Sequence, residues 1–348
     1  MKKTKNYFSQ ITNTTKSYGE IERKASAKNI PLYAHLELTY MCNLKCVHCY
    51  LAHSIQQEEL STDEMKHVID QLAELGTLYL SLTGGEILCR NDFFEIAEYA
   101  RAKNFALRLF TNATLITPDI ARQIQKICPL FVEISLYGIS PEVHDSITQV
   151  PGSHSRTIDA IHLLKEKGIN LLIKTVVMRL NFAEVLAVKN FTNKMGAIFR
   201  ADPVISPKLD GATEPLNLRI DDDELLGLFR EINNDWKLNH PDPDSPLCNA
   251  GKSVLAINPN GEVFPCLRIS NKAGAIKKQP LNHIWKSSEV MKKVRELTLT
   301  KLKSCVSCDD MMYCNPCPGL ALLEHGELDT PAMESCRQAG IRKMVFIQ

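Results

Sequence analysis

An α/β fold of parallel strands joined by crossover helices is what this sequence predicts, on three observations. Short, apolar, β-rich runs recur six times along the first two-thirds of the chain. Segments with helix start and stop signals separate them. The alternation then gives way to a cysteine-rich end. Strand–helix alternation implies parallel strands covered by helices, as an open layer or a barrel. Six units are visible, and a closed eight-unit barrel would need two more.

The strands are expected at Ala34–Thr39, Thr77–Leu82, Phe105–Phe110, Leu130–Leu136, Leu171–Val177 and Ile198–Val204, whose residues suit short buried strands. Ser61 and Glu64 form a capping-box pattern before Met65–Leu75, and Gly76 stops that helix. Asn91 and Asp92 open Phe93–Lys103, while Thr117 and Pro118 read as N-cap and first helical residue. Helices Ser153–Lys167 and Phe182–Met195 stop at Gly168 and Gly196. Beyond the sixth unit, Asp221–Trp236 reads as one helix with acidic residues in its first turn. Pro241, Pro243 and Pro246 stiffen a linker. Val254–Ile257 and Glu262–Pro265 flank Asn258-Pro259-Asn260-Gly261, a hairpin signal. Ser287–Leu297 is expected to be helical. From Cys305 onward little periodicity remains, and such a segment needs metal as a staple. The expected divisions are an extension over 1–30, the α/β unit over 31–220, a helix and linker over 221–247, and a cysteine-rich domain over 248–348.

Bulk properties narrow the function. With 348 residues and 44% hydrophobic content the chain can bury a sizeable core. A net charge of +1 gives no electrostatic bias toward nucleic acid or anionic membrane. Met1 to Lys24 is polar and basic, without an apolar run fit for a signal peptide or membrane span. A cytoplasmic location follows as the expectation. Twelve cysteines in a reducing compartment then point to metal or catalysis rather than disulfides.

Three of them, in Cys42-x3-Cys46-x2-Cys49, supply soft thiolates from one loop at the end of the first strand. Structural zinc needs four ligands, and His48 or His53 could supply a fourth, so this triplet alone leaves zinc open beside an iron–sulfur cluster.

The triplet and the turn Gly84-Gly85-Glu86 after the second strand together resemble the radical S-adenosylmethionine (SAM) superfamily, over roughly residues 34–205. The resemblance implies a partial (β/α)6 TIM-like barrel. It also implies a [4Fe-4S] cluster on Cys42, Cys46 and Cys49 with one iron left for the amino and carboxylate groups of S-adenosylmethionine. One-electron reduction then cleaves the cofactor to a 5′-deoxyadenosyl radical that takes hydrogen from substrate, with the protein supplying ligation and orientation. By the same resemblance His48 packs near the adenine. Gly84 and Gly85 let the backbone approach the methionine amino group, and Glu86 accepts from it. Ile87 departs from the family's frequent proline, which changes turn stiffness more than chemistry. At other strand ends, Asn112 and Ser135 are expected on the ribose and Lys174 on the carboxylate. Each could equally be a structural polar group of a turn or strand.

A second cysteine set reads Cys248, Gly261-x4-Cys266, Cys305-x2-Cys308-x5-Cys314-x2-Cys317 and Cys336. Two CxxC pairs would make a zinc ribbon but leave three cysteines over. Seven cysteines instead resemble the SPASM extension of radical SAM enzymes, with two auxiliary [4Fe-4S] clusters. The last spacing is x2 where that extension has x3. The correspondence implies Cys248, Cys266 and Cys317 on the first cluster and Cys305, Cys308, Cys314 and Cys336 on the second. The first set has three cysteines, so a further ligand or an open iron completes it. Cys89 and Cys128 stand apart and suit packing roles.

The resemblance implies a peptide or small-molecule substrate, foremost a ribosomally made peptide or protein being matured. The alternatives are tetrapyrrole side-chain modification in haem or haem d1 pathways and a non-catalytic iron–sulfur electron-transfer protein. A one-electron reductant such as flavodoxin or ferredoxin is expected. The roughly 33 residues before the first strand leave no room for a peptide-recognition winged helix, so a separate leader-binding protein is expected too.

Overall fold

The structure, a computed structural model, describes residues 15–51, 58–232, 238 and 242–347. His53, Pro241 and residues 233–236 of the expected helix lie outside the described residues.

Helix α1 (Thr15–Ala27) precedes six βα units. Strands β1 (Tyr33–Thr39), β2 (Tyr79–Gly84), β3 (Ala106–Thr111), β4 (Phe131–Ser135), β5 (Leu171–Val176) and β6 (Ile198–Asp202) pair parallel, each with its predecessor. The six units expected from the alternation are therefore present, with strand ends shifted by one or two residues. Between them run α2 (Thr62–Glu74), α3 (Phe93–Ala102), α4 (Pro118–Ile127), α5 (Pro141–Thr148), α6 (Ser153–Glu166) and α7 (Val185–Lys194).

The local signals act as their chemistry requires. Ser61 Oγ accepts from the Glu64 amide while Glu64 Oε2 accepts from the Ser61 amide, closing the capping box. Thr117 caps α4 with Pro118 in its first turn. Asp92 makes no side-chain cap and instead pairs with Arg90.

Period-two alternation sorts the strand residues by face. Leu36, Leu38, Leu80, Leu82, Leu107, Leu109, Val132, Ile134 and Ile173 are buried in one core with Met65, Ile69, Leu72, Phe93 and Ile161 from the helices. The opposite face is polar. Arg108 and Lys174 both pair with the fully buried Glu133, and Lys174 Nζ stands 4.2 Å from the centre of the Phe110 ring. An α/β barrel left open at one side exposes this polar face to a cavity.

The cysteine-rich end joins the same sheet. Strand β7 (Val254–Ile257) pairs parallel with β1, and β8 (Glu262–Phe264) returns antiparallel through the expected hairpin. Strand β9 (Gly274–Ala275) completes the order β6-β5-β4-β3-β2-β1-β7-β8-β9. Three expectations change here. Helix Asp221–Trp236 is α8 (Asp222–Ile232) among the described residues. The helix expected over Ser287–Leu297 is α10 (Glu289–Arg295), and a further helix that the sequence reading lacks, α9 (Leu281–Ser287), precedes it, divided from it by the extended Ser288 at φ −62, ψ 130. The segment after Cys305 is not devoid of regular structure: it holds α11 (Lys303–Val306), α12 (Pro318–His325) and α13 (Met333–Ile347). Helix α13 shows no apolar stripe because much of its buried face is Glu334, Ser335, Gln338 and Arg342. It packs on α8 through Ile341, Leu225, Leu228 and Phe229, with the Arg342 guanidinium 4.8 Å from the Phe229 ring centre. No described helix is long and apolar enough to cross a membrane.

Candidate active site

The loop after β1 is held from three sides. Glu59 Oε1 accepts from Thr39 Oγ1 and from the Tyr40 amide, both at 2.8 Å. The last carbonyls of α5 accept from the loop, Thr148 from the Lys45 amide and Ile147 from the Val47 amide, both at 3.0 Å. The Gly85 and Glu86 amides donate to the carbonyls of Thr39 and Met41 at 2.7 and 2.8 Å. Helix α5 was missed in the sequence, although Ser140-Pro141 repeats the Thr117-Pro118 start signal.

The two glycines are required by close approach. Gly84 has φ +131, and a Cβ on it would drive into the Thr39 carbonyl. A Cβ on Gly85 would overlap the Met41 carbonyl oxygen.

Cys42, Cys46, His48, Cys49, Gly84, Gly85, Asn112, Ser135 and Lys174 all line one cavity of about 1180 Å³ at the C-terminal ends of the strands. The residues expected around the first cluster and the cofactor, other than Glu86, thus share one wall. Tyr50, Phe110, Tyr137, Arg200 and Asp202 join them. None of these five is given a role at the site by the sequence reading.

Glu86 departs from its expected contact. It is fully buried behind the wall, accepting from Thr111 Oγ1 and the Asn112 amide at 2.7 Å and from the Leu88 amide at 3.1 Å. Those donors occupy most of the carboxylate, and its work in this arrangement is to fix the ends of β2 and β3. Asn112 lines the cavity, and its amide nitrogen donates to Asn43 Oδ1 at 2.9 Å and to Cys42 Sγ at 3.9 Å on the cysteine loop. Lys174 faces the cavity with its ammonium already 2.8 Å from Glu133.

His48 is enclosed, its ring edge-on to Tyr137 at 4.8 Å, and Nδ1 has no hydrogen-bond partner among the described residues. Burial holds its pKa down to about 4, so the ring is neutral and suited to flat apolar contact. Burial also pushes the Cys42 thiol up to about 11 and Cys46 up to about 12. These sulfurs become thiolates only with a cation to compensate them.

The donor set fits iron–sulfur better than zinc. Among the described residues no three of His, Cys, Asp and Glu converge closely enough for a single metal ion. Zinc requires four donors on one ion, whereas a cluster takes each thiolate on a separate iron. When bound, the cluster would supply the electron that cleaves S-adenosylmethionine.

The distal cysteines also sort. Cys248 and Cys266 each feel the charge of Cys317, Cys266 being pushed up to about 12 chiefly by burial. Cys305, Cys314 and Cys336 each feel the charge of Cys308, Cys314 likewise reaching about 12 chiefly by burial. The x2-spaced Cys314 and Cys317 thus fall in different groups. Cys89 lies off the cavity wall, while Cys128 is an exposed left-handed cap of α4.

Residues 36–192 match the radical SAM superfamily model, and residues 248–310 match an iron–sulfur cluster-binding domain known as SPASM. The AdoMet-dependent heme synthase of Methanosarcina barkeri is 30% identical over 330 residues, covering 86% of this chain and 94% of its own. The chain belongs to the radical SAM superfamily. The mycofactocin maturase MftC of Mycolicibacterium smegmatis is 29% identical over 84% of this chain and 79% of its own. Streptococcus suis SuiB, solved with bound S-adenosylmethionine, shares the fold with a TM-score of 0.73 at 18% identity, over 96% of this chain and 83% of its own. This radical SAM protein is accordingly an enzyme that uses S-adenosylmethionine, a [4Fe-4S] cluster and auxiliary clusters.

Proposed function

We propose that this radical SAM enzyme matures a ribosomally made peptide or protein. The observation that carries the reading is the cavity of about 1180 Å³, whose wall runs from the cysteine triplet to Lys174, Arg200 and Asp202. That volume exceeds the roughly 300–1,000 Å³ of an ordinary small-ligand pocket, leaving room for a second reactant beside the cofactor. The charged far wall suits a peptide backbone or side chain. Two relatives add support: MftC is a mycofactocin maturase, and SuiB has been solved with its precursor peptide SuiA.

In this reading Cys42, Cys46 and Cys49 hold the cluster that binds the cofactor. His48 lies on the adenine, the Gly84–Gly85 backbone faces the methionine amino group with Glu86 bracing it, and Lys174 attracts the carboxylate. The division at 31–220 and 248–348 separates the radical unit from two auxiliary clusters, held by Cys248, Cys266 and Cys317 and by Cys305, Cys308, Cys314 and Cys336. A cytoplasmic enzyme of this kind takes electrons from a flavodoxin or ferredoxin and borrows a separate leader-binding protein.

A second reading is haem-pathway tetrapyrrole modification, favoured by the heme synthase similarity. Anaerobically reconstituted enzyme should be given S-adenosylmethionine, reductant, and either peptides encoded beside its gene or an iron porphyrin. A changed peptide mass with 5′-deoxyadenosine release is the expected result. Change in the porphyrin alone would sink the peptide reading.

A further inference from the structure

Helices α5 and α6 hold the site from several sides. The amides that flank Cys46 donate to the end of α5, Lys45 to the Thr148 carbonyl and Val47 to the Ile147 carbonyl, both at 3.0 Å. The last carbonyls of a helix have no partner within it, so the cysteine loop completes α5 while α5 fixes the loop. On the same helix His144 Nδ1 accepts from the Tyr137 amide at 3.2 Å, holding the segment after β4 where Tyr137 meets His48. Helix α6 reaches the end of β3, as Thr157 Oγ1 donates to the Asn112 carbonyl at 3.0 Å.

Asp145 joins these helices. The start of α6 has no side-chain cap of its own, since Gly152 stands at the N-cap position. The Asp145 carboxylate takes that place from α5. Its Oδ1 accepts from the His154 amide at 2.8 Å and from Ser153 Oγ at 2.7 Å, and its Oδ2 accepts from the Gly152 amide at 2.5 Å. A carboxylate so placed satisfies open amides at the positive end of a helix. Ser153 Oγ also hydrogen-bonds with Thr148 Oγ1 at 2.6 Å, and both side chains are fully buried. A continuous chain thus runs from Asp145 through Ser153 to Thr148, whose carbonyl receives the Lys45 amide.

We propose that Asp145 is a positioning residue for the cysteine triplet: by capping α6 from α5 it holds Cys46, Tyr137 and Asn112 in register around the cluster. This rests on Cys42, Cys46 and Cys49 holding that cluster. Asp145 does not line the cavity and acts through the Thr148 and Ile147 carbonyls. Without its carboxylate the end of α5 is free to shift, and the amides beside Cys46 lose their fixed partners. The distal cysteines lie on other elements and keep their iron.

The test is iron and sulfide analysis of reconstituted full-length enzyme, with electron paramagnetic resonance following the reduced-cluster signal that changes on adding S-adenosylmethionine. Asp145→Ala should lose about four iron atoms per chain and that cofactor-responsive signal, while the auxiliary signals persist. Asp145→Asn keeps the shape and an acceptor oxygen and should retain more of the signal than Asp145→Ala. Full iron with a wild-type cofactor-responsive signal in Asp145→Ala overturns the proposal. So does iron lost evenly from all clusters, the result of general destabilisation. If Asp145→Ala does not fold, Ser153→Ala decides, and an undiminished signal there overturns the proposal. Wild-type enzyme with full iron but no cofactor-responsive signal would overturn the cluster assignment, and the proposal with it.

Discussion

The Glu86 amide donates to the Met41 carbonyl at 2.8 Å, tying the turn after β2 to the residue before the first cysteine of the triplet. The neighbouring Gly85 has no space for a side chain against that same carbonyl. Gly85→Ala must therefore push the two loops apart, since the obstruction is backbone rather than a flexible side chain. Overpacking of this kind costs about 1–3 kcal/mol. The expected outcome is a lower melting temperature and reduced iron incorporation at the triplet, read by calorimetry and iron analysis. Gly168→Ala tests a different glycine at a helix end with open space, where left-handed strain is the only penalty; it should retain iron.

The grouping of the distal cysteines predicts a pattern of iron loss. Cys317→Ala should remove one cluster, about four iron atoms. Adding Cys248→Ala should remove no more, because both serve the same cluster. Adding Cys336→Ala should double the loss. Iron and sulfide analysis of the single and double variants distinguishes this from a zinc ribbon, in which Cys314 and Cys317 would act together.

Arg90 braces the barrel behind the site. Its guanidinium donates to the carbonyls of Leu38 and Leu60 at 2.8 Å and pairs with Asp92 at 2.7 Å, with 8% of the side chain exposed. Arg90→Leu strands two carbonyls and a carboxylate and should cost about 3 kcal/mol. Arg90→Lys should recover part of this only, since an ammonium cannot reproduce the planar fork. Urea midpoints of the three proteins provide the measurement.

Glu37 supplies a pH dependence. Burial raises its pKa from 4.5 to about 7, against the lowering effect of the Tyr50 and Tyr40 hydroxyls. Tyr50 Oη donates to Glu37 Oε1 at 2.8 Å. The folded chain holds this proton more tightly than the unfolded chain does. The stabilisation is therefore complete below about 4.5 and is lost as pH rises through about 7. Glu37→Gln stays neutral and does not titrate. Wild type should lose up to about 3 kcal/mol relative to Glu37→Gln between pH 4.5 and 8. Parallel melting curves at several pH values check it, and a constant difference would contradict it.

Much of this molecule could be read from local pattern. Six βα units, the capping box at Ser61 and the hairpin at Asn258–Gly261 depend on residues near one another in sequence, and each appears in the structure. Some helices were less legible for physical reasons. Helix α13 buries Glu334 and Gln338, whose partners are Arg337, Arg219 and Arg342, so hydrophobic periodicity gave no signal. Helix α9 is only seven residues long and ends at an extended Ser288 that no proline or glycine marks.

The sequence by itself determined the chemistry: thiolate spacing, the glycine turn and the count of distal cysteines are properties of residue type and order. Tertiary structure decided which groups those residues meet. Glu86 is drawn behind the cavity wall by three donors from β3 and its own turn, and Asn112 is turned toward Cys42 by Thr114. A polar side chain's role depends on which donors and acceptors the fold places within hydrogen-bond reach. Those partners come from separate strand ends, and their positions are fixed only when the sheet closes around the site.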